Sequence, residues 1–321
     1  MSAAGIDGRS PPILALRDAI RRLGPTRLGV LIHGESGTGK ERVARAVHEA
    51  SGRAAGPFVA VDCAALPQGL AQAELFGHER GAFTGASHAR DGVVQAADGG
   101  TLFLDEVGDL PAGTQAALLR TLADGTVQRL GALERRVADI RVVAATSRDL
   151  QVEVDAGRFR ADLRFRLAAV RIDVPSLRDR GDDVSLLAEI LLDAACEEAG
   201  RGRLALGDAA RRAVLADRWP GNVRQLSNAL RRAAVFADGD EVTVEDLGLR
   251  APVMVTQSLA EARAEAERAY IEGVLRATQG NVSAAARRAG VHRTELHRLM
   301  RRHALRGADF RGHGGRLEDS P

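Results

Sequence analysis

Short apolar runs alternate with longer amphipathic stretches through the first half of the chain. The runs fall at residues 29–32, 58–61, 101–104, 140–144 and 170–174. Each is nearly continuous in apolar side chains, the pattern of a strand covered on both faces, and the stretches between them carry helical periodicity. This rhythm predicts a parallel sheet flanked by helices over residues 13–175, after an N-terminal tail of residues 1–12. Beyond Pro175 the period turns helical over 184–200, 208–217 and 222–237, with no strand expected between, so an all-helical subdomain is placed at 176–240. Residues 241–258 contain Pro252 and lose periodicity, which predicts a linker. A third, helical block spans 259–305, and residues 306–321 read as a flexible tail.

Composition narrows the class. At 321 residues, 45% hydrophobic and 27% charged, the chain has the make-up of a soluble globular protein of about two domains. Aromatic residues make up 3%, so the core must rest on Leu, Val, Ile and Ala. Cys63 and Cys196 are too few for a disulfide framework or a metal cluster and read as small buried hydrophobes in a reducing compartment. No basic segment followed by an apolar stretch opens the chain, and no apolar run is long enough to span a bilayer. A cytoplasmic location without a membrane partner is therefore expected. The net charge of +2 says little, but its distribution says more: residues 281–306 hold seven arginines and one acid, Glu295. A basic end on a mildly acidic body suggests a polyanion-binding module, although charge alone would equally describe a solvated arginine-rich helix.

The candidate chemistry begins with lysine usage. Of 45 Lys and Arg residues only one, Lys40, is lysine, and it closes the run Gly34-Glu35-Ser36-Gly37-Thr38-Gly39-Lys40. This G-x-x-x-x-G-K pattern follows an apolar run and precedes a helical one, the context of a phosphate-binding loop. Glycines let backbone N–H groups turn toward phosphate, and the next helix adds its positive N-terminal end. A compact ammonium on a flexible stem reaches the β- and γ-phosphates in a way a planar guanidinium does not. One departure is Glu41, where the pattern ordinarily carries a Ser or Thr magnesium ligand. The run from Gly100 to Glu106 is an apolar strand ending in two acids; Asp105 is suited to hold Mg2+ and Glu106 to polarise the attacking water. ATP and Mg2+ are the expected ligands.

A second glycine-bracketed segment, Gly81-Ala82-Phe83-Thr84-Gly85-Ala86, follows Glu74-Leu75-Phe76-Gly77-His78-Glu79. It makes a poor helix or strand and reads as a movable loop with an apolar tip at Phe83. With these motifs the chain resembles the AAA+ activators of sigma-54 RNA polymerase, also called bacterial enhancer-binding proteins. The resemblance runs from about Ile13 to Leu305, and residues 81–86 match the family's GAFTGA loop residue for residue. It implies an AAA+ P-loop α/β domain with a helical lid. It also implies that residues 81–86 contact sigma-54, and that Arg160 and Arg166 are arginines acting on a neighbouring subunit's nucleotide. Thr146-Ser147 matches the sensor I strand end, though the family usually has Asn where Ser147 stands. Trp219-Pro220-Gly221-Asn222-Val223-Arg224 matches the lid motif, with Arg224 on the nucleotide and Asn222 able to cap the helix. Asp62 stands where the family usually carries an asparagine that holds the Walker B glutamate. An aspartate beside Glu106 would add like-charge repulsion and alter coupling between nucleotide state and loop.

At the other end, Thr278-Gln279-Gly280-Asn281 opens a helix that Gly290 breaks, and His292-Arg293-Thr294-Glu295 opens another. Small alanines permit close packing of the two, which is helix-turn-helix grammar. The block resembles the Fis-type DNA-binding domain. His292, Arg293, Thr294, Glu295, His297 and Arg298 are candidates near base edges and Arg301 and Arg302 near phosphate, with Leu296, Leu299 and Leu305 as core. An amphipathic oligomerisation hairpin is the competing reading of this block.

The reading that unites these features is a ring-forming ATPase, a hexamer by resemblance, homomeric or mixed with a related activator. It would bind double-stranded enhancer DNA and open promoters with sigma-54 RNA polymerase holoenzyme. Because the phosphate loop begins at residue 34, regulation in trans by a separate protein is expected. The alternatives are a DNA-binding regulator with a degenerate ATPase, and a AAA+ remodeller of another DNA-bound assembly.

Overall fold

The computed structural model describes residues 5–67, 69–249 and 259–310. The chain divides into two compact units, Met1–Pro252 and Val253–Pro321.

The five expected apolar runs are the five strands of one sheet, displaced by at most two residues: β1 (Val30–His33), β2 (Phe58–Asp62), β3 (Thr101–Asp105), β4 (Arg141–Thr146) and β5 (Val170–Asp173). Their order is β2-β3-β4-β1-β5, with every pairing parallel. Alternation along each strand divides the core into two layers. Val30, Ile32, Val143 and Ala145 face the helices Pro11–Leu23 and Lys40–Glu49, while Leu31, Leu102, Leu104 and Ala144 face the opposite layer with Leu118 and Leu163. Full burial of one such aliphatic side chain is worth about 1.5–3 kcal/mol. A single buried cation interrupts β4: Arg141 donates to the carbonyls of Gly24 (2.7 Å) and Leu23 (2.9 Å), neutralising the C-terminal end of the first helix.

The helical subdomain packs Asp183–Glu198, Asp208–Ala216 and Asn222–Phe236 around Trp219, whose indole N–H donates to Val214 O (2.8 Å). Two expectations need correction here. Strands do occur in this region, because Ala205–Leu206 pairs in parallel with Glu241–Val242. Val242, Val244 and Leu247 are then buried in the same core, so residues 241–249 belong to the subdomain rather than to a linker. The remainder of the expected linker, 250–258, lies outside the described residues. The expected N-terminal tail is likewise packed from Ile6 onward: Ile6 is buried in the sheet's core and the Ser10 N–H donates to Asp183 (2.9 Å).

Two ribbons of antiparallel strands, unforeseen in the sequence, project from the α/β part. Gly77–His78 pairs with Arg90–Asp91, and Thr126–Val127 with Arg136–Val137. The first carries residues 81–86 at its tip.

The second unit holds three helices, Leu259–Ala277, Val282–Ala289 and Arg293–Arg302, around Ile271, Leu275, Ala285, Ala286, Leu296 and Met300. Asn281 caps the middle helix through Ala284 N–H (3.1 Å), and Gly290 ends it at φ +68°, a left-handed turn suited to glycine. Leu299 and Leu305 pack against this core. So does Phe310, beneath Arg276, with the guanidinium carbon 5.8 Å from the ring centroid; the stretch to residue 310 is therefore not the loose tail that was expected. Residues 311–321 lie outside the described residues.

Candidate functional site

Parallel register brings five strand ends to one edge of the sheet. His33 pairs with Thr146 and with Asp173, and Asp62 pairs with Asp105. The residues that follow, Gly34, Glu106 and Ser147, therefore meet at the carboxyl ends of the strands, where open α/β sheets bind ligands. The N–H of Gly34 donates to Thr146 O (3.3 Å), joining the phosphate loop to the end of β4. A cavity of about 280 Å³ opens there, its polar lining given by Ser36–Lys40, Asp105, Glu106, Arg180 and Arg224. Apolar lining comes from Ile6, Leu16, Val43 and Val174 of the α/β part and from Leu187 and Val223 of the lid. Charged groups and apolar side chains lining one cavity are what a nucleotide requires of a site.

Lys40 opens the helix Lys40–Glu49 and is 6% exposed. Its Nζ lies 2.9 Å from Glu106 Oε1 and donates to Gly34 O (3.1 Å). The other carboxylate oxygen of Glu106 accepts two hydrogen bonds from Ser147, one from its N–H and one from Oγ, each 2.9 Å. Burial pushes the Glu106 carboxyl up, but the Lys40 and Ser147 hydrogen bonds outweigh it and hold the group below its ordinary pKa. Asp105 moves the other way: burial and then the neighbouring Glu106 charge raise it. Two adjacent carboxyls thus have distinct environments, one ionised and clamped, the other short of positive charge.

That shortage bears on Mg2+. Among the described residues no group of three or more His, Cys, Asp or Glu side chains converges to hold a metal. Mg2+ bound with substrate phosphates needs only one or two carboxylates and keeps several waters. Asp105 fits that donor set. Glu41, at the rim, pairs instead with Arg45 (2.7 Å), and the Thr38 hydroxyl donates to Glu35 O (2.8 Å).

Asp62, expected to be unable to hold Glu106, makes its hydrogen bond elsewhere. Its Oδ1 accepts from Ala64 N–H (3.0 Å), as a short acidic side chain at the start of a turn commonly does. Neither oxygen of Glu106 is bonded to it, and its charge is felt at Asp105.

The phosphate loop is laced to the lid. Gly37 has φ +78°, and a Cβ there would lie 2.3 Å from Gly221 O, so both conformation and space demand glycine. Arg224 N donates to Gly37 O (3.3 Å) and its Nη1 to Ser36 Oγ (3.3 Å). Asn222 is fully buried and sits at φ +52°. It does not cap its own helix, as expected, but bridges three segments: Oδ1 accepts from Leu177 N–H (2.8 Å), and Nδ2 donates to Ser36 O (3.0 Å) and Glu35 Oε2 (3.1 Å). Arg178 donates to both oxygens of Glu35, and with Asn222 it lowers that carboxyl to about 2. Arg180, buried in the same seam, donates to Thr38 O (2.8 Å). Sequence reasoning missed Arg178 and Arg180, because two arginines among forty-four carry no signal of their own.

Arg160 and Arg166 lie outside the cavity's lining. Arg160 is exposed and paired with Asp162 (2.8 Å), and Arg166 donates to Leu122 O (2.7 Å). Residues 81–86 form a tight loop in which Gly81 N–H donates to Ala86 O (2.8 Å) and Ala86 N–H to Phe83 O (3.0 Å). Thr84 and Gly85 are exposed, Ala86 is buried, and Phe83 is half-buried with its ring edge-on to His78 (centroids 5.0 Å apart). The two ribbons are tied at their bases, where Arg129 binds Glu79 (2.9 Å) and Asp91. In the second unit Arg293, Thr294, Arg298, Arg301 and Arg302 are exposed on the last helix, while Glu295 and His297 are half-buried. Glu295 pairs with Arg298 (2.5 Å), and His292 sits at the helix N-cap, its Nδ1 2.8 Å from Thr294 Oγ1.

Residues 6–173 match the family model described as Sigma-54 interaction domain, just over half of the chain. The chain belongs to the sigma-54-dependent transcriptional regulators. Residues 178–263 match the AAA+ ATPase lid domain, and residues 262–303 match the bacterial regulatory protein, Fis family. Among curated relatives of this family, the anaerobic nitric oxide reductase transcription regulator NorR of Klebsiella pneumoniae is 45% identical over 94% of this chain and 62% of its own length. The transcriptional regulatory protein GlrR of Escherichia coli is 42% identical over 94% of this chain and 69% of its own. The chain thus spans about two thirds of the length of the relatives it matches. The crystal structure of NtrX from Brucella abortus in complex with ATP superposes with a TM-score of 0.71 at 36% identity, over 93% of this chain and 69% of that one. Within the sigma-54-dependent regulators, then, this chain carries a AAA+ P-loop NTPase with its lid and a Fis-type helix-turn-helix. No helix among the described residues is long and apolar enough to cross a membrane.

Proposed function

We propose that the chain is an ATP-hydrolysing activator of sigma-54 RNA polymerase that acts in the cytoplasm from upstream DNA. The observation that carries this reading is the convergence of Lys40, Asp105 and Glu106 at one cavity, in the same unit that presents residues 81–86. Lys40 leaves Glu106 for the β- and γ-phosphates, the backbone of Ser36–Gly39 faces the phosphate oxygens, and Arg224 approaches from the lid. Glu106 polarises the attacking water. Mg2+, held by Asp105 with phosphate oxygens, would neutralise charge developing on the transferred phosphoryl group. Arg160 and Arg166, exposed and outside their own cavity, serve the site of an adjoining subunit in a ring, a hexamer, so that turnover depends on assembly. ATP binding frees residues 81–86 to engage sigma-54 holoenzyme, and hydrolysis drives the closed complex open. Enhancer DNA is bound by residues 259–305. Arg293, Thr294, Glu295, His297 and Arg298 face bases, and Arg301 and Arg302 face phosphate.

The decisive experiment is open-complex formation by sigma-54 holoenzyme on a sigma-54 promoter, with ATP and excess protein. Opening is expected with the wild type and absent with Lys40→Ala and Thr84→Ala, while Thr84→Ala retains ATP hydrolysis within about two-fold. Opening that persists in Thr84→Ala would overturn the assignment of the loop. Hydrolysis without opening in the wild type would assign the motor to another client.

A further inference from the structure

We infer that His78 and His88 form a binding site for an imidazole-preferring divalent ion of the Zn2+ class, set across the neck of the loop that carries residues 81–86. In the antiparallel ribbon His78 stands opposite Arg90, so His88, two residues before Arg90, is its diagonal neighbour on the same face. The two imidazole centroids lie 6.5 Å apart. Two imidazoles on one ion, with N–metal bonds of about 2.0–2.1 Å at a tetrahedral angle, have centroids about 5–6 Å apart. His88 is exposed, and a small turn of its side chain closes the difference.

The chemistry of the two rings fits an ion. His78 is 9% exposed, and its Nδ1 is enclosed without a hydrogen-bond partner. Which nitrogen of a histidine takes a metal is set by the bond the other makes, and no bond at Nδ1 commits His78 elsewhere. His88 is prepared differently. Its Nδ1 meets Ser87 Oγ (3.0 Å), the outer contact that ligating histidines make through their second nitrogen, and Nε2 is left for the ion. The bordering arginines are neutralised, Arg90 by Glu74 (3.4 Å) and Arg129 by Glu79 and Asp91. No third His, Cys, Asp or Glu joins the pair among the described residues, so water would complete the ion's shell and the ion would exchange. Imidazole selects Zn2+, Cu2+ and Ni2+ over the Mg2+ that accompanies nucleotide.

Position gives such an ion an effect. Residues 79–87 are all the chain between the two histidines. His78 also carries the Phe83 ring edge-on (centroids 5.0 Å apart) and bridges to Leu130 within the second ribbon. An ion joining His78 to His88 closes the neck of the loop and holds Phe83 down. This consequence rests on the proposed role of residues 81–86 in engaging sigma-54, whereas the binding site itself does not.

The test titrates the full chain, without nucleotide, with Zn2+ in a calorimeter and follows histidine ring signals by NMR. Zn2+ is expected to move the ring signals of both His78 and His88. His88→Ala should weaken the tightest Zn2+ event by about ten-fold or more, since a lost ligand costs at least what a lost outer partner does. His88→Cys, which offers a thiolate at the same place, should bind at least as tightly as the wild type. In promoter opening with ATP and excess Mg2+, Zn2+ should inhibit the wild type and spare His88→Ala, while ATP hydrolysis stays within about two-fold. Unchanged Zn2+ affinity in His88→Ala, or ring signals that move at His88 alone, would overturn the site. Binding lost in His88→Ala with opening indifferent to Zn2+ would overturn the clamp. Absence of opening in the wild type without added Zn2+ would remove the sigma-54 reading instead, and the titration would then decide the site by itself.

Discussion

The molecule contains two glycine-rich loops of similar length and opposite construction. Residues 34–40 are pinned from every side: Gly37 is pressed against Gly221, Glu35 is gripped by Arg178 and Asn222, Thr38 O is held by Arg180, and Lys40 is tied to Glu106. Residues 81–86 are anchored by their own short turns and by one aromatic contact, and Gly85 has no heavy atom within 4 Å of where a Cβ would lie. Glycine serves fit at Gly37 and freedom at Gly85. The contrast teaches that a phosphate sensor must not move except as its ligand dictates, whereas a segment that reports to a partner must be cheap to displace.

Substitutions can break this contrast. The largest effect is expected from Gly37→Ala, where a methyl group meets a backbone carbonyl and the left-handed conformation is strained as well. ATP affinity should fall by at least about 100-fold, as a strain of roughly 3 kcal/mol in the bound loop implies; a titration showing wild-type affinity would mean the loop is not held as described. Next comes Asn222→Ala, which orphans the Leu177 N–H and strips one donor from Glu35. A cost of about 2 kcal/mol is expected, seen as a fall in Tm of roughly 4–8 °C with weaker ATP binding.

Gly85→Ala sharpens the comparison from the other side. Its φ of +105° makes alanine locally unfavourable by about 1–2 kcal/mol, yet no neighbour is struck. ATP affinity and Tm should remain near wild type while promoter opening declines, a split that Gly37→Ala cannot give. The smallest effect belongs to Glu35→Gln. The Glu35 carboxyl titrates at about 2 in the folded chain against an ordinary 4.5, so its contribution is complete above pH 4.5 and is lost as pH falls toward 2. Acid unfolding followed by circular dichroism should be less steep across that window in the variant. With Glu35 44% exposed, solvent screening keeps the difference below about 1 kcal/mol.

Much of this architecture was legible in the sequence, for identifiable reasons. All five sheet strands were found because strands buried on both faces are written as apolar runs, and their ends delivered Lys40, Asp105 and Glu106 to one edge. The two-residue strands at 77–78, 90–91, 126–127, 136–137, 205–206 and 241–242 were not, since two residues hold no period. Asn222 was assigned to its own helix because capping is a local rule, whereas its partners lie 45, 186 and 187 residues away. Asp62 was marked from a pattern of residue types as a residue unable to hold Glu106; which donor its carboxylate would take instead, the Ala64 N–H, was not legible. Ser147 looked like a departure, and its hydroxyl is instead one of the two contacts through which it holds Glu106.

Having a single lysine also gives the chain an unusual chemical address. Reagents that acylate primary amines meet one ε-amino group besides the α-amino terminus, and that group is 6% exposed and bonded to Glu106. The arginine-covered exterior is inert to them. One adduct at Lys40 would mark one silenced nucleotide site, so counting adducts on the peptide that holds Lys40, apart from those on the α-amino group, would count lost sites. Amine-directed cross-linkers, by the same token, would find almost nothing to join on the outside of this molecule.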